Sequence, residues 1–329
     1  MQYRKMGRSD LMVSAIAMGC WAIAGDAFWG PQDEAEAIAA LQAAFEAGIN
    51  FFDTAEGYGD GRSEELVGKA LGSVRQQVII ATKVLPNHLR AEDVRAHCEA
   101  SLRRLGTDYI DVYYIHWPNW SIPFAETMEA MTRLQEEGKI RYVGCSNFGR
   151  RDLTDLLKVA RVEINQLPYS LLWRAIEYEI LPTCLENGVS VACYSPLMQG
   201  LLTGKFSSAD EVPAGRARTR HFASSRPLTR HGEPGAEAET FEALARIRQI
   251  CQDAGLPMAQ VAMAWLLAQP GVATVIAGAR TPAQARDNAA AGSLELPQEI
   301  VQALTQATEA LKARLGPNPD MWQAEPRIR

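Results

Sequence analysis

Residues 50–58 read Asn50-Phe-Phe-Asp-Thr-Ala-Glu-Gly-Tyr58, and the rest of the chain is best understood from this stretch. A short apolar run ends there at a carboxylate, Asp53, and Tyr58 follows a glycine five positions later. An apolar run that stops at a polar residue is typical of a buried strand. The stretch therefore predicts a strand that ends at a pocket, followed by a loop that carries the Tyr58 hydroxyl back over it.

Two further apolar runs end in the same way. Residues 78–83 read Val-Ile-Ile-Ala-Thr-Lys, and residues 109–116 read Tyr-Ile-Asp-Val-Tyr-Tyr-Ile-His. Both are interpreted as buried strands, which end at Lys83 and His116. In a parallel barrel, functional groups collect at the carboxyl ends of the strands. We therefore expect these strand ends to bring an acid, a base and an imidazole together.

Strand and helix patterns alternate along most of the chain. Strands are predicted at residues 12–19, 50–53, 78–83, 110–116, 142–146, 162–167, 189–194 and 272–277, with helical periodicity between most of them. This alternation implies a parallel sheet with right-handed crossovers. Eight strands with about as many helices favour a barrel over an open sheet. The predicted fold is α/β, a single (β/α)8 TIM barrel that spans residues 1–329.

Several segments are expected to depart from the repeat, because the chain has 329 residues and such a barrel typically needs roughly 250. A polar opening segment is expected to form a hairpin that closes the barrel base. A long loop is predicted after strand seven, at approximately 197–235. One helix is predicted at 175–187. An extra C-terminal helix is predicted at 297–314, followed by a tail at approximately 315–329.

Composition excludes several classes of function. A formal net charge of -6 and a pI of about 5.5 do not fit a basic nucleic-acid surface. The six cysteines are scattered and contain no Cys-x-x-Cys pair, so they are interpreted as reduced thiols. The histidines lack the spacing of a metal site, and no metal is expected. No signal peptide or membrane span is evident. We expect a soluble cytoplasmic protein that binds neither nucleic acid nor membrane.

The order of the polar strand ends resembles a known catalytic arrangement. Asp53 and Tyr58 in Asp-x4-Tyr spacing, followed by a strand-end lysine and a strand-end histidine, resemble the catalytic tetrad of the aldo-keto reductases. The resemblance implies reduction of a small aldehyde or ketone to the alcohol, with hydride supplied by NADPH. The four catalytic residues implied in this way are Asp53, Tyr58, Lys83 and His116.

Elementary acid–base chemistry is consistent with these roles. A tyrosine is able to protonate the carbonyl oxygen, but its unperturbed pKa of about 10 is poorly matched to neutral pH. A neighbouring cation favours the phenolate, so we expect Lys83 to lower the pKa of Tyr58. Asp53 would pair with Lys83 and hold it in place. His116 would donate a hydrogen bond to the substrate oxygen.

The second half of the chain resembles the same family in the segments that contact the cofactor there. Residues 144–148, Gly-Cys-Ser-Asn-Phe, are similar to the segment beside the nicotinamide carboxamide, and Tyr194 to the ring that stacks on the nicotinamide. Residues 195–205 resemble the loop around the pyrophosphate, and residues 276–280 the adenosine site. The implied cofactor-binding residues are Ser146, Asn147, Gln166, Tyr194, Ser195, Leu197, Gly200, Leu202, Lys205, Gly278, Arg280, Gln284 and Asn288.

Cofactor choice and substrate class rest on fewer residues. Arg280 is able to fork onto a 2′-phosphate, which favours NADPH/NADP+ over NADH. Aromatic residues beside the predicted strand ends are expected to line the substrate pocket; they are Trp21, Phe28, Trp29, Trp117 and Trp120. The opening segment and the tail resemble those of members associated with sugar, cyclitol or general aldehyde reduction. A sugar-like or otherwise polyhydroxylated carbonyl compound is therefore the expected substrate.

Arginines are concentrated in the predicted long loop and in the tail. The loop arginines are hypothesised to close over the cofactor phosphates or to attract an anionic sugar derivative; they are Arg216, Arg218, Arg220, Arg226 and Arg230. The tail carries Arg327 and Arg329. It would either fold back on the pocket or reach a neighbouring subunit, so a homo-oligomer is left open.

Two other functions are kept as alternatives. One is an NADPH-binding regulatory subunit with little turnover, similar to the channel-associated members of the same family. The other is a lyase that forms a Schiff base at Lys83, although that would leave the cofactor-like segments unexplained. Nucleotide-binding motifs of other folds fit poorly: no Gly-x-Gly-x-x-Gly follows a strand, and residues 200–205 do not have the spacing of a P-loop.

Overall fold

The computed structural model describes residues 1–25 and 29–329. Their strands are β1 (Tyr3–Lys5), β2 (Met12–Ser14), β3 (Ile16–Gly19), β4 (Phe51–Asp53), β5 (Ile79–Val84), β6 (Ile110–Ile115), β7 (Ile140–Ser146), β8 (Ile164–Pro168), β9 (Ser190–Tyr194) and β10 (Val272–Gly278). Their α-helices are α1 (Glu34–Glu46), α2 (Arg62–Leu71), α3 (Ala91–Leu105), α4 (Phe124–Glu136), α5 (Arg150–Leu157), α6 (Ile180–Glu186), α7 (Glu237–Asp253), α8 (Met258–Leu267), α9 (Pro282–Ala290), α10 (Gln298–Ala307) and α11 (Glu309–Leu315).

Strands β3 to β10 form a closed barrel in which every neighbouring pair is parallel. The barrel closes where β10 pairs with β3, from Val275 opposite Ile16 to Gly278 opposite Gly19. Strands β5 and β6 are buried along their whole length, as expected when side chains of the barrel interior cover one face and helices cover the other. The structure confirms the predicted (β/α)8 TIM barrel.

The first predicted strand, residues 12–19, is divided in two. β2 pairs antiparallel with β1, whereas β3 pairs parallel with β4 and β10. The chain changes direction between them, where the Ser14 hydroxyl donates to the carbonyl of Ile16 at 2.7 Å. Met6, Leu11 and Val13 from the hairpin pack into an apolar cluster with the inward side chains of the barrel strands. The hairpin therefore closes the barrel base, as expected.

Two predicted helices differ in extent, and each difference has a local cause. The helix predicted at 175–187 is a 3-10 turn, Ala175–Glu177, followed by α6. Pro182 lacks an amide hydrogen and is tolerated only in the first turn of a helix, which fixes the start of α6 close before it. The helix predicted at 297–314 is interrupted at Thr308, which separates α10 from α11. The Arg174 guanidinium donates to Thr308 Oγ1 at 3.1 Å at this break.

A long loop follows β9, as predicted, and α7 begins only at Glu237. It contains short 3-10 segments at Met198–Thr203 and Ala209–Glu211. One salt bridge lies within the loop, where Arg220 Nε is 2.7 Å from a carboxylate oxygen of Glu233. Another joins the loop to the start of α7, where Arg226 Nε lies 2.6 Å from a carboxylate oxygen of Glu237. Among the residues that the structure describes, no helix has both the length and the apolar character needed to cross a membrane.

His221 anchors this loop in the protein interior. Its side chain is fully buried, its Nε2 donates to the carbonyl of Leu172 at 2.8 Å, and its Nδ1 lies 3.0 Å from the hydroxyl of Thr219. Burial lowers the pKa of His221 to about 4. The folded protein therefore keeps this imidazole neutral, whereas the unfolded chain takes up a proton below a pH of about 6.5.

We expect acid to destabilise the fold through His221. Because its folded pKa lies below its unfolded pKa, the free energy of unfolding should fall as the pH drops from about 6.5 towards 4. The His221 contribution to this loss is about 3 kcal/mol, at roughly 1.4 kcal/mol per pKa unit. Urea unfolding of wild type and His221→Gln across this pH range measures it. The variant should be less stable at pH 7 but show a shallower acid slope; an unchanged slope would contradict the prediction.

Candidate active site

The carboxyl ends of the barrel strands surround a cleft of about 610 Å³. Small-molecule sites typically have volumes of about 300–1,000 Å³. β4 ends at Asp53, β5 carries Lys83 as its penultimate residue, and His116 follows β6 directly. Most of the residues predicted from the sequence line this cleft: Trp21, Trp29, Asp53, Tyr58, His116, Trp117, Ser146, Asn147, Gln166, Tyr194, Ser195, Leu197, Gly200, Gly278, Arg280 and Gln284.

A buried ion pair lies at the floor of the cleft. Lys83 is fully buried, and its Nζ lies 2.6 Å from Asp53 Oδ1, 2.7 Å from the carbonyl of Thr54 and 3.2 Å from the Tyr58 hydroxyl. Burial acts to lower the pKa of Lys83, but Asp53 and Tyr58 outweigh it and raise that pKa. The side chain is therefore an ammonium whose three hydrogens all have acceptors. This arrangement disfavours a Schiff-base mechanism, which requires a neutral and accessible amine.

Tyr58 is held between aromatic rings above this ion pair. Its ring stacks on Trp21 at a centroid distance of 5.7 Å and meets the His116 ring edge-on at 5.9 Å. Burial raises the pKa of Tyr58, and the opposing effect of Lys83 does not offset it. The expectation that Lys83 would bring this pKa below its usual value is therefore wrong, because it left out the cost of placing a phenolate in a buried site. Tyr58 is a protonated donor at neutral pH.

His116 is neutral in this site. Burial, reinforced by the Lys83 ammonium, lowers the pKa of His116 to about 3. Its Nδ1 is buried and has no hydrogen-bond partner within the described part of the chain. A neutral imidazole carries one N–H donor and one acceptor nitrogen. His116 is therefore able to donate a single hydrogen bond to an oxygen in the cleft without adding a positive charge.

Polar side chains at the ends of β7, β8 and β9 form a continuous hydrogen-bonded chain with the ion pair. Gln166 Nε2 donates to Asp53 Oδ2 at 2.7 Å, and Ser146 donates to the carbonyl of Gln166 at 3.0 Å. Asn147 Nδ2 donates to Ser146 Oγ at 3.1 Å, and the Tyr194 hydroxyl donates to Asn147 Oδ1 at 2.9 Å. The predicted carboxamide contacts are thus brought together, and Gln166 also fixes the second oxygen of Asp53.

The loop after β9 forms a cationic cradle around Gly200. This glycine has a φ of 92°, and a Cβ at its position would lie 3.2 Å from the Lys205 ammonium and 3.3 Å from Arg216 Nη1. Burial and then Arg216 lower the pKa of Lys205. Neither cation pairs with a carboxylate within the described residues. Two adjacent cations beside exposed backbone suit a phosphate group. Among the predicted cofactor residues of this loop, the exposed Lys205 and the buried Leu202 lie outside the cleft lining.

The end of β10 supplies the opposite wall. Asn288 Nδ2 donates to the carbonyl of Gly278 at 3.1 Å, and Gln284 Oε1 accepts from the backbone amide of Arg280 at 2.9 Å. The Arg280 guanidinium donates to the Gln32 side chain at 2.6 Å and to the carbonyl of Trp29 at 2.7 Å. These acceptors are uncharged, so the positive charge of Arg280 stays unneutralised at the cleft wall. Asn288 itself does not line the cleft, although it contacts the carbonyl of Gly278, which does.

The predicted aromatic residues do not all reach the cleft. Trp21, Trp29 and Trp117 line it. Trp120 does not: it is 47% exposed, and its indole nitrogen donates to Asp152 at 2.9 Å outside the cleft. The loop after β6 carries it away from the strand ends, a direction that its position in the sequence does not reveal. The expectation for Phe28 lies outside the described residues.

The tail folds back over the cleft, which is the first of the two positions that the sequence allowed. Trp322 and Arg327 line it, and Arg327 stacks on Trp117 at 4.0 Å and lies 2.7 Å from Asp320. Arg218 from the long loop lies 4.7 Å from the ring of Trp322. Tail and loop thus meet above the site. Trp322 is visible in the sequence as a large aromatic residue in the tail, but nothing in the sequence indicates where that tail packs.

The loop arginines divide into two groups. Arg216, Arg218 and Arg230 line the cleft. Arg220 and Arg226 do not; Arg220 pairs with Glu233 within the loop, and Arg226 pairs with Glu237 at the start of α7. Three of the five are therefore at the cleft, and for these three the hypothesis that they close over the cofactor phosphates or attract an anionic sugar derivative stays a prediction.

Comparison with known proteins agrees with this geometry. The model of the Aldo/keto reductase family matches residues 15–309. An NADH-specific methylglyoxal reductase of Escherichia coli (strain K12) is 35% identical over 331 aligned positions, which cover 93% of this chain and 98% of that protein.

Solved structures give the same result. An aldo/keto reductase from Klebsiella pneumoniae in complex with NADP and acetate is 33% identical, with a TM-score of 0.74 and coverage of 97% of this chain and 96% of that chain. A glycerol dehydrogenase from Gluconobacter oxydans is 30% identical, with a TM-score of 0.81 and coverage of 97% of both chains. Given relatives that match over nearly their full length, and a barrel whose cleft holds the expected tetrad, this chain belongs to the aldo/keto reductase family of oxidoreductases.

Proposed function

We propose that this protein reduces a small aldehyde or ketone to the alcohol, with NADPH as the hydride donor and Tyr58 as the general acid. The observation that carries the proposal is the contact of the protonated Tyr58 hydroxyl with the buried Lys83 ammonium, beside a neutral His116. Reduction of a carbonyl needs a hydride at carbon and a proton at oxygen. Tyr58 is placed to supply that proton.

Each tetrad residue has a distinct task in this mechanism. The bound reduced nicotinamide supplies the hydride. His116 donates a hydrogen bond that orients the substrate oxygen, and Tyr58 transfers its hydroxyl proton to that oxygen as negative charge develops there. The Lys83 ammonium, 3.2 Å from the Tyr58 oxygen, stabilises the phenolate that remains. Asp53 keeps Lys83 charged and in position through the 2.6 Å ion pair.

The cofactor proposal rests on three groups of residues that lie along the cleft. Ser146, Asn147 and Gln166 offer hydrogen-bonding groups near the tetrad, and the half-buried Tyr194 ring offers a stacking surface. The Gly200 cradle offers two cations for the pyrophosphate. Asn288, Gln284 and Arg280 mark the adenosine end. These positions match the order of nicotinamide, phosphates and adenosine, and they support a bound dinucleotide along the whole cleft.

The preference for NADPH over NADH depends on Arg280. Its guanidinium is held by uncharged acceptors, which a 2′-phosphate would replace with a charge-assisted contact. Relatives differ in this respect, since one is named as NADH-specific and another was solved with NADP. We propose NADPH because Arg280 keeps its positive charge at the cleft wall, with no carboxylate partner among residues 1–25 and 29–329.

The substrate is proposed to be a small polar carbonyl compound, sugar-like or otherwise polyhydroxylated. Trp21, Trp29, Trp117 and Trp322 surround the approach to the tetrad, and arginines of the loop and tail stand among them. Aromatic faces suit the carbon side of a sugar, and the charged rim suits its hydroxyl groups. The names of the relatives, a methylglyoxal reductase and a glycerol dehydrogenase, also point to small oxygen-rich compounds.

Tyr58→Phe tests the reductase proposal. Loss of the proton donor should lower kcat by about 10²- to 10⁴-fold, the usual contribution of general acid catalysis. The variant should still bind NADPH, because only the hydroxyl is removed. NADPH oxidation should be followed at its near-ultraviolet absorbance with aryl aldehydes, sugar aldehydes and inositol ketones.

The matched control is Tyr178→Phe, which removes the hydroxyl of an exposed tyrosine outside the cleft. It should retain wild-type turnover with every compound. The compound with the highest kcat/KM identifies the substrate class. Tight NADPH binding by wild type without turnover on any compound would instead support the regulatory alternative and reject the reductase proposal.

Arg280→Gln tests the cofactor preference. A hydrogen bond to a charged group contributes about 1.5–3 kcal/mol, so KM for NADPH should rise roughly 10- to 100-fold. KM for NADH should change little, because NADH lacks the 2′-phosphate. The decisive quantity is the ratio of kcat/KM for the two cofactors in wild type and variant.

Arg286→Gln is the control, since Arg286 lies on α9, which follows Arg280, is mostly exposed and lies 3.6 Å from Glu46 rather than at the cleft. It should leave the ratio unchanged. If Arg280→Gln lowers kcat/KM equally for NADPH and NADH, Arg280 only supports the loop at Trp29. The proposed NADPH preference would then be abandoned.

A further inference from the structure

A cluster of one glutamate and two histidines lies outside the cleft. Glu56 belongs to the loop after β4, His88 to the 3-10 turn after β5, and His97 to α3. His88 Nδ1 lies 3.0 Å from one carboxylate oxygen of Glu56, and His97 Nδ1 lies 2.5 Å from the other. One ligand atom from each residue lies within 4.8 Å of the other two. Three separate segments thus direct potential metal ligands to one point.

The carboxylate of this cluster is buried and has no strong cationic partner. The Glu56 side chain is only 5% exposed, and its carboxylate also accepts a hydrogen bond from the backbone amide of Leu85 at 2.8 Å. Within the described residues, no lysine or arginine lies within salt-bridge distance of Glu56. A buried carboxylate that faces two imidazoles is therefore well suited to accept a cation.

The donor atoms determine which cation fits. Two imidazole nitrogens and one carboxylate oxygen are the ligand types of Zn²⁺ and its first-row neighbours, whereas Ca²⁺ and Mg²⁺ prefer oxygen alone. Three protein ligands leave a fourth position for water. The rings of His88 and His97 are stacked with centroids 3.6 Å apart, so they must turn for both lone pairs to converge on one ion. Their side chains are 25% and 31% exposed, which gives them room to turn.

A neighbouring amide contacts the other ring nitrogen of His88. Asn87 Nδ2 lies 2.8 Å from His88 Nε2, the ring nitrogen that faces away from Glu56, and donates to it. Ligation through Nδ1 requires a proton on Nε2. The Asn87 amide therefore has to turn and present its oxygen to Nε2 when a metal binds.

We propose that Glu56, His88 and His97 bind one divalent transition-metal ion, with Zn²⁺ as the best match. Glu56 lies two residues before Tyr58, and His88 follows the strand that carries Lys83. The ion would cross-link the loop that bears the general acid to the loop after β5 and to α3. None of the three ligands lines the cleft, so the site is structural and independent of the proposed reaction.

Calorimetric titration of the chelator-treated full chain with Zn²⁺ tests the proposal. Wild type should bind one ion per chain. His97→Gln and Glu56→Gln should each weaken binding at least about tenfold, since loss of even an outer hydrogen-bonding partner typically weakens metal affinity 10- to 100-fold. Co²⁺ should give a visible absorption band in wild type that both variants lose.

Glu99→Gln is the control, because Glu99 lies on the same helix and pairs with Lys139 instead. It should bind Zn²⁺ as wild type does. Circular dichroism establishes that each variant is folded, and Zn²⁺ should raise the Tm of wild type and control but not of the two ligand variants. Absence of saturable binding to wild type, or wild-type affinity in both ligand variants, would show that the cluster is only a hydrogen-bonded network and overturn the proposal.

Discussion

The ion pair between Lys83 and Asp53 is the constraint on which the rest of the site depends. Removing two charges from water costs several kcal/mol per ion unless each is fully hydrogen-bonded. Here every ammonium hydrogen of Lys83 has an acceptor, and both oxygens of Asp53 accept hydrogen bonds, one of them from Gln166 on the far side of the barrel. The pair therefore fixes the relative positions of β4, β5 and β8, and a closed barrel is the arrangement that brings those strand ends together.

Much of this was predictable because strand ends are encoded locally. An apolar run that stops at Asp53, Lys83 or His116 places that residue at one edge of a parallel barrel, whatever the distance along the chain. The Glu56 cluster has no such local signal, since its three residues are distant in sequence and meet only where α3 packs beside the barrel. The expectation that no metal binds stays a prediction. The pKa of Tyr58 also escaped prediction, because the opposing effects of burial and of Lys83 depend on how deeply the ring lies.

Loops were harder to interpret than strands for a related reason. The arginines of the long loop look alike in the sequence, yet Arg216 lines the cleft while Arg220 pairs with Glu233 within the loop. Trp117 and Trp120 are three positions apart and point to different surroundings. Contacts with other segments decide which side of a loop faces the site. Such contacts leave no recognisable pattern in the sequence of the loop.

The hairpin at the barrel base has a consequence for how protons move. Met6, Leu11 and Val13 are at most 4% exposed and fill the lower end of the barrel with apolar groups. These groups form an apolar layer between the barrel base and Lys83. Under the proposed mechanism, a proton given up by Tyr58 would be replaced from the cleft side, after the alcohol has moved away from the hydroxyl. Reprotonation of the acid and departure of the alcohol would then share one route and follow a fixed order.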